Sequence, residues 1–159
     1  MEFNELMQAF AAEAGIPGFV PDGSGVYSLA IDGMQVDFAA DLDRGQLVFV
    51  GEVGVLPQFG RAEFLQLLME AMFFGRTTAG AVFALKPGSD RLKFRLAEPL
   101  ELMTAPRFHE VLELFVNTLE QWRRVCADCQ SIGEKVGMAN GGRVTFSQDE
   151  GIQIKGLKG

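Results

Sequence analysis

The chain has 159 residues, 48% of them hydrophobic, with 14 phenylalanines and 7 methionines; this suits one substantial core and excludes the polar, highly charged profile of a disordered segment. Its 21 acidic residues against 14 basic ones give a formal charge of −7, which argues against nucleic acid as a partner. The stretch MEFNELMQAF has no basic leader, and no apolar run approaches membrane-spanning length, so a cytoplasmic protein without membrane insertion is expected.

Phe3, Leu6, Met7, Phe10 and Ala14 recur at helical spacing, predicting an amphipathic helix that Gly15 closes and Pro17 stops. Its phenylalanine stripe either packs on a sheet or meets a partner. The loop VPDGSG lacks the glycine spacing of a phosphate cradle. VYSLAI, MQVDFAAD and QLVFVGEV then read as a meander of strands. Asp32-Gly33 suits a type I′ turn, and Arg44-Gly45 closes the second connection. Val48 and Val50 make both faces of the third strand apolar, which marks it as central.

Pro57 and Gly60 end the strands, and a helix is expected from about Arg61 to Phe74. Ala62, Leu65, Leu68, Met69 and Met72 form one stripe; Phe64, Leu67, Ala71, Phe73 and Phe74 widen it until little of the helix is polar. Either the C-terminal helix crosses this segment or another subunit completes its surroundings. The cost of a continuous exposed apolar patch favours the subunit.

Ala81 to Leu85 resumes as a strand, Pro87-Gly88 turns the chain, and RLKFRLAEPL alternates apolar Leu92, Phe94 and Leu96 with basic Arg91, Lys93 and Arg95. Thr104 and Pro106 mark the start of a helix of about twenty residues, to near Gln130, with Phe108, Val111, Leu112, Phe115, Leu119, Trp122 and Cys126 on its apolar stripe. Residues 131–159 form a glycine-rich extension in which RVTFS and GIQIKG are candidates for a hairpin about Gln148 to Glu150. Residues 1–130 are then one α+β domain: a twisted, mainly antiparallel five-stranded sheet with three helices, in the order α-β-β-β-α-β-β-α.

Catalytic chemistry is sparse. Cys126 and Cys129 have the spacing of a dithiol or half a zinc site. His109 lies over ~20 Å upstream along the same predicted helix, a poor third ligand. The pair sits toward a helix end rather than the N-terminus that lowers a thiol pKa. No nucleophile elbow is present. Asp37, Asp41 and Asp43 are read as strand and turn carboxylates. Neither catalytic residues nor metal or cofactor sites are expected.

Several words in order resemble the CesT/Tir family of bacterial type III secretion chaperones: AGIPGF at 14–19, YSLAID at 27–32, GVLP at 54–57, FLQLLMEAMFF at 64–74, TTAGAVFALKPGSDRLKFRL at 77–96 and PLELMTAPRFHEVLELFVNTLEQWRR at 99–124. The resemblance implies a homodimer without enzymatic activity that holds the N-terminal segment of a secreted effector in extended form and keeps it competent for secretion. It implies a dimer interface at Leu65, Leu68, Met69 and Met72, and effector contacts at Phe3, Met7, Phe10, Leu29 and Ile31. Where the family often carries an alanine-asparagine pair late in the central helix, this chain has Ala71-Met72. The alternatives are a small redox or metabolic enzyme using Cys126 and Cys129, and a non-enzymatic adaptor of a secretion apparatus.

Overall fold

The computed structural model describes residues 2–140, 144–147 and 153–156, with side chains described for residues 2–132. Helix α1 (Phe3–Ala14) precedes β1 (Tyr27–Ile31), β2 (Met34–Asp41) and β3 (Gln46–Val55); α2 (Arg61–Phe74), β4 (Val82–Leu85), β5 (Arg91–Pro99) and α3 (Ala105–Asn140) follow. The five strands form one antiparallel sheet in the order β1-β2-β3-β5-β4, the predicted α+β architecture. Strands β6 (Val144–Ser147) and β7 (Gln153–Gly156) form a separate antiparallel ladder.

Contacts within the chain cluster into two compact units: residues up to Gly51 with Arg95–Asn117, and Glu52–Phe94 with Thr118 onward. Periodicity gives no sign of this division, because β3, β5 and α3 each run through its boundary without a break in pattern.

In the first unit, Gly15 caps α1 in the left-handed conformation, and its N–H and that of Ile16 return to carbonyls of the last turn. Strand β1 pairs with β2 from Tyr27↔Phe38 to Ile31↔Met34. The turn between them has Asp32 at φ 50° and Gly33 at φ 78°, as a type I′ turn requires. The core is aromatic: the Phe108 ring lies 4.7 Å from Phe10, 5.2 Å from Phe38 and 5.4 Å from Phe49. Phe3 meets Tyr27 edge-on, and the Tyr27 hydroxyl donates to Asn4 Oδ1 at 3.1 Å. Thr104 caps α3, its Oγ1 accepting from the Arg107 N–H. Between β2 and β5, β3 is central; Val48 is buried and Val50 half-buried on its second face.

In the second unit, the Trp122 ring meets Phe83 edge-on at 4.8 Å, and its Nε1–H donates to the Thr77 carbonyl at 2.8 Å. Phe64, Leu67, Leu68 and Ala71 are the buried residues of α2, and β6 runs beside this helix. Two of the basic residues of β5 have a partner that spacing alone does not supply: Glu52 takes Arg91 at 2.9 Å and Lys93 at 3.2 Å. Burial pushes the Glu52 carboxyl up, but the hydrogen bonds from Arg91 and Lys93 outweigh it and leave the pKa lowered. Such exposed pairs each contribute less than about 1 kcal/mol, so they serve more to mask the charge of this face than to hold it.

Helix α3 does not stop near Gln130; it continues to Asn140. Glycine at 133 and 137 costs roughly 1 kcal/mol each against alanine in a helix interior. A helix already nucleated over its preceding turns can propagate through them. The candidate strands at RVTFS and GIQIKG correspond to β6 and β7, and the turn expected at Gln148 to Glu150 lies outside the described residues.

Candidate functional site: an apolar groove and an exposed helix face

Helix α1 brings Phe10 and Ala14, the following turn brings Ile16, β1 brings Leu29 and Ile31, and α3 brings Leu112 and Val116 to one open groove of about 330 Å³. Asp32, His109, Glu113 and Asn117 supply its polar lining. Tyr27, Leu29 and Ile31 share one face of β1; Tyr27 is buried, while Leu29 and Ile31 are half-buried and reachable. Strand β1 is also an edge of the sheet, and among the described residues no strand pairs with its other side. An apolar groove next to an open strand edge can receive an extended chain: the edge bonds its main chain and the groove takes alternate side chains. A larger open cleft of about 760 Å³ is lined by Glu2, Arg44, Gln46 and Glu101 among others, a more polar setting.

The five residues expected at a binding surface divide. Phe10, Leu29 and Ile31 line the groove together, with Phe10 only 3% exposed as part of its floor. Met7 is fully buried, and Phe3 is buried against Tyr27. Ile16, Leu112 and Val116 join the groove without having been singled out. Helical spacing marks Leu112 as apolar, but only the packing of α1 and β1 beside it shows that it faces an opening.

Of the four residues expected at a dimer interface, Leu68 lies in the chain's own core, and Leu65 and Met72 are half-buried. Met69 is 67% exposed, and next to it Phe73 and Phe74 are 80% and 78% exposed. These two phenylalanines widen the stripe of α2 in sequence. Their exposure could not be read there, because a helix apolar all round does not say which side its own fold covers.

Cys126 and Cys129 are both buried free thiols. Burial pushes Cys126 up to about 11; burial, with the neighbouring Cys126 and Asp128, pushes Cys129 up to about 12. The Cys126 thiol donates to the Val55 carbonyl at 3.4 Å. A β-carbon on Gly54 would lie 3.2 Å from that sulfur, so glycine is what lets α3 approach β3 here. A thiol needs its thiolate form to attack, and these two are held in the other form. The folded chain is therefore expected to resist iodoacetamide at neutral pH and to take up label at both cysteines only in denaturant. Rapid labelling of native protein, followed by mass spectrometry, would contradict this. Among the described residues, no group of three or more His, Cys, Asp or Glu side chains could hold a metal ion, and no helix is long and apolar enough to cross a membrane.

The family model of the Tir chaperone protein (CesT) family matches residues 5–123. The chain belongs to that family. No curated protein sequence matches it. Among solved structures, it is similar to a chain of the ExsC–ExsE complex at 21% identity and a TM-score of 0.66, covering 79% of this chain and 97% of that one. A chain of the HopA1–SchA chaperone–effector complex is similar at 20% identity and a TM-score of 0.61, covering 79% and 93%. The Yersinia pestis type III secretion chaperone SycH in complex with a stable fragment of YscM2 is similar at 19% identity and 0.59, covering 76% and 99%. At these identities the likeness shows a shared fold. The CesT match ends 36 residues before the end of the 159-residue chain, so most of α3 beyond Trp122 and both strands of the β6–β7 ladder are additions to the region it covers.

Proposed function

We propose that this protein is a cytoplasmic type III secretion chaperone that binds an extended N-terminal segment of a secreted effector, works as a homodimer and catalyses no reaction. The observation that carries the reading is the groove of Phe10, Ile16, Leu29, Ile31, Leu112 and Val116 beside the open edge of β1. Family membership supports it, as do similar structures of a chaperone–effector complex and of a chaperone bound to a protein fragment. A segment without tertiary structure of its own must lose entropy on binding, so several spaced anchors suit it better than one deep pocket. The net charge of −7 favours basic flanks in the client and keeps the complex soluble. The exposed stripe of Met69, Phe73 and Phe74 supports self-association through α2.

Hydrogen exchange on a client co-purified from the source cells, measured alone and mixed with the full chain, tests the binding mode. Protection is expected in one continuous client segment and in amides of Tyr27–Ile31. Replacing Leu29 and Ile31 together by aspartate should weaken the complex at least tenfold while leaving the oligomeric state unchanged, since both side chains are already partly exposed. Protection confined to the region of Cys126 and Cys129, with a small molecule consumed, would refute the chaperone reading.

A further inference from the structure

We propose that the β6–β7 ladder is a second part of the α2 docking face, and that this composite surface is occupied by the same surface of a second copy of the chain. The proposal rests on the homodimer reading above and adds to it a segment lying beyond the family match at 5–123.

Strand β6 runs beside α2. With the ladder in place, Met69, Phe73 and Phe74 are still 67%, 80% and 78% exposed, so the ladder leaves the apolar stripe uncovered. Even large aromatic side chains bury only about 150–250 Å² each, so Phe73, Phe74 and the smaller Met69 fall short of the roughly 800 Å² per partner of a stable interface. An adjoining element extends the face toward that size. The ladder has its own need for a surface, because an isolated two-stranded hairpin is marginal in water. Its register pairs Phe146 with Ile154 and Thr145 with Lys155, so apolar and polar pairs alternate along it, as expected for a ribbon with one covered side. In a two-fold dimer each contact occurs twice, which doubles what this short addition contributes.

Two measurements on the full-length chain test this. Phe146→Ser/Ile154→Ser should raise the dimer dissociation constant at least tenfold in sedimentation experiments, with circular dichroism unchanged. A wild-type dimer whose constant the double variant leaves unaltered would overturn the proposal and spare the homodimer reading; a wild-type monomer throughout the micromolar range would overturn both. Carbodiimide cross-linking of an equal mixture of unlabelled and nitrogen-15-labelled wild-type chains, after subunit exchange, should give mixed-isotope products joining residues 144–156 to residues 61–74. Products joining these segments only within one isotope would mean that the ladder supports its own α2, and the proposal would fall whatever the variant does.

Discussion

Replacing Phe108 with alanine is expected to cost about 4 kcal/mol of stability, as large-to-small changes at fully buried aromatic positions do. The ring is completely inaccessible and lies within 5.4 Å of Phe10, Phe38 and Phe49. Its removal takes a shared contact from α1, β2 and β3 at once, and these faces cannot all close on the space left. Against a total stability of roughly 5–15 kcal/mol, the loss should lower the urea midpoint by a large fraction and the thermal midpoint by about 10 °C. Phe108→Leu retains much of the volume and should lose less. An unchanged urea midpoint for the alanine variant would mean that this cluster does not organise the core.

Phe73→Asp is expected to raise the dissociation constant of the proposed homodimer at least a hundredfold, about 3 kcal/mol, with little effect on the fold of the single chain. The side chain is 80% exposed, so a carboxylate there is solvated in the monomer and must be dehydrated in an apolar interface, once on each copy. Leu68→Asp is the less informative change, because Leu68 is 2% exposed within its own chain and its replacement confounds dissociation with unfolding. Sedimentation across the micromolar range checks the prediction; a Phe73→Asp dimer as tight as the wild type would place self-association elsewhere.

Most of the fold can be read from local pattern. Period-two alternation marks β1, β2 and β5, Asp32-Gly33 fixes the first turn, and Gly15, Gly60 and Thr104 bound helices where their backbone or capping chemistry is needed. The end of α3 is harder, since the glycines at 133 and 137 suggest a break while the cost of each within an established helix is modest. The candidate surfaces are legible as residue types and less so as faces. Phe3, Met7 and Phe10 share a stripe, yet the fold covers the first two and leaves Phe10 under an opening. Met69 and Phe73 are not distinguished from Leu67 and Leu68 by hydrophobicity; tertiary packing separates them. The partners of Glu52 are 39 and 41 residues away in sequence, beyond what local periodicity can report.

In the proposed binding mode, the short open edge of β1 limits which client sequences can be told apart. The strand is 5 residues long, about 17 Å at the usual rise, and its backbone groups are the same whatever residue a partner carries. A client strand laid along it is read through only two or three side chains, those at every second position that turn toward Leu29, Ile31 and Ile16. The intervening positions face away and are free to drift. A vocabulary this sparse is met by many unrelated sequences, so discrimination among clients must come from the order and separation of several such short words along the chain.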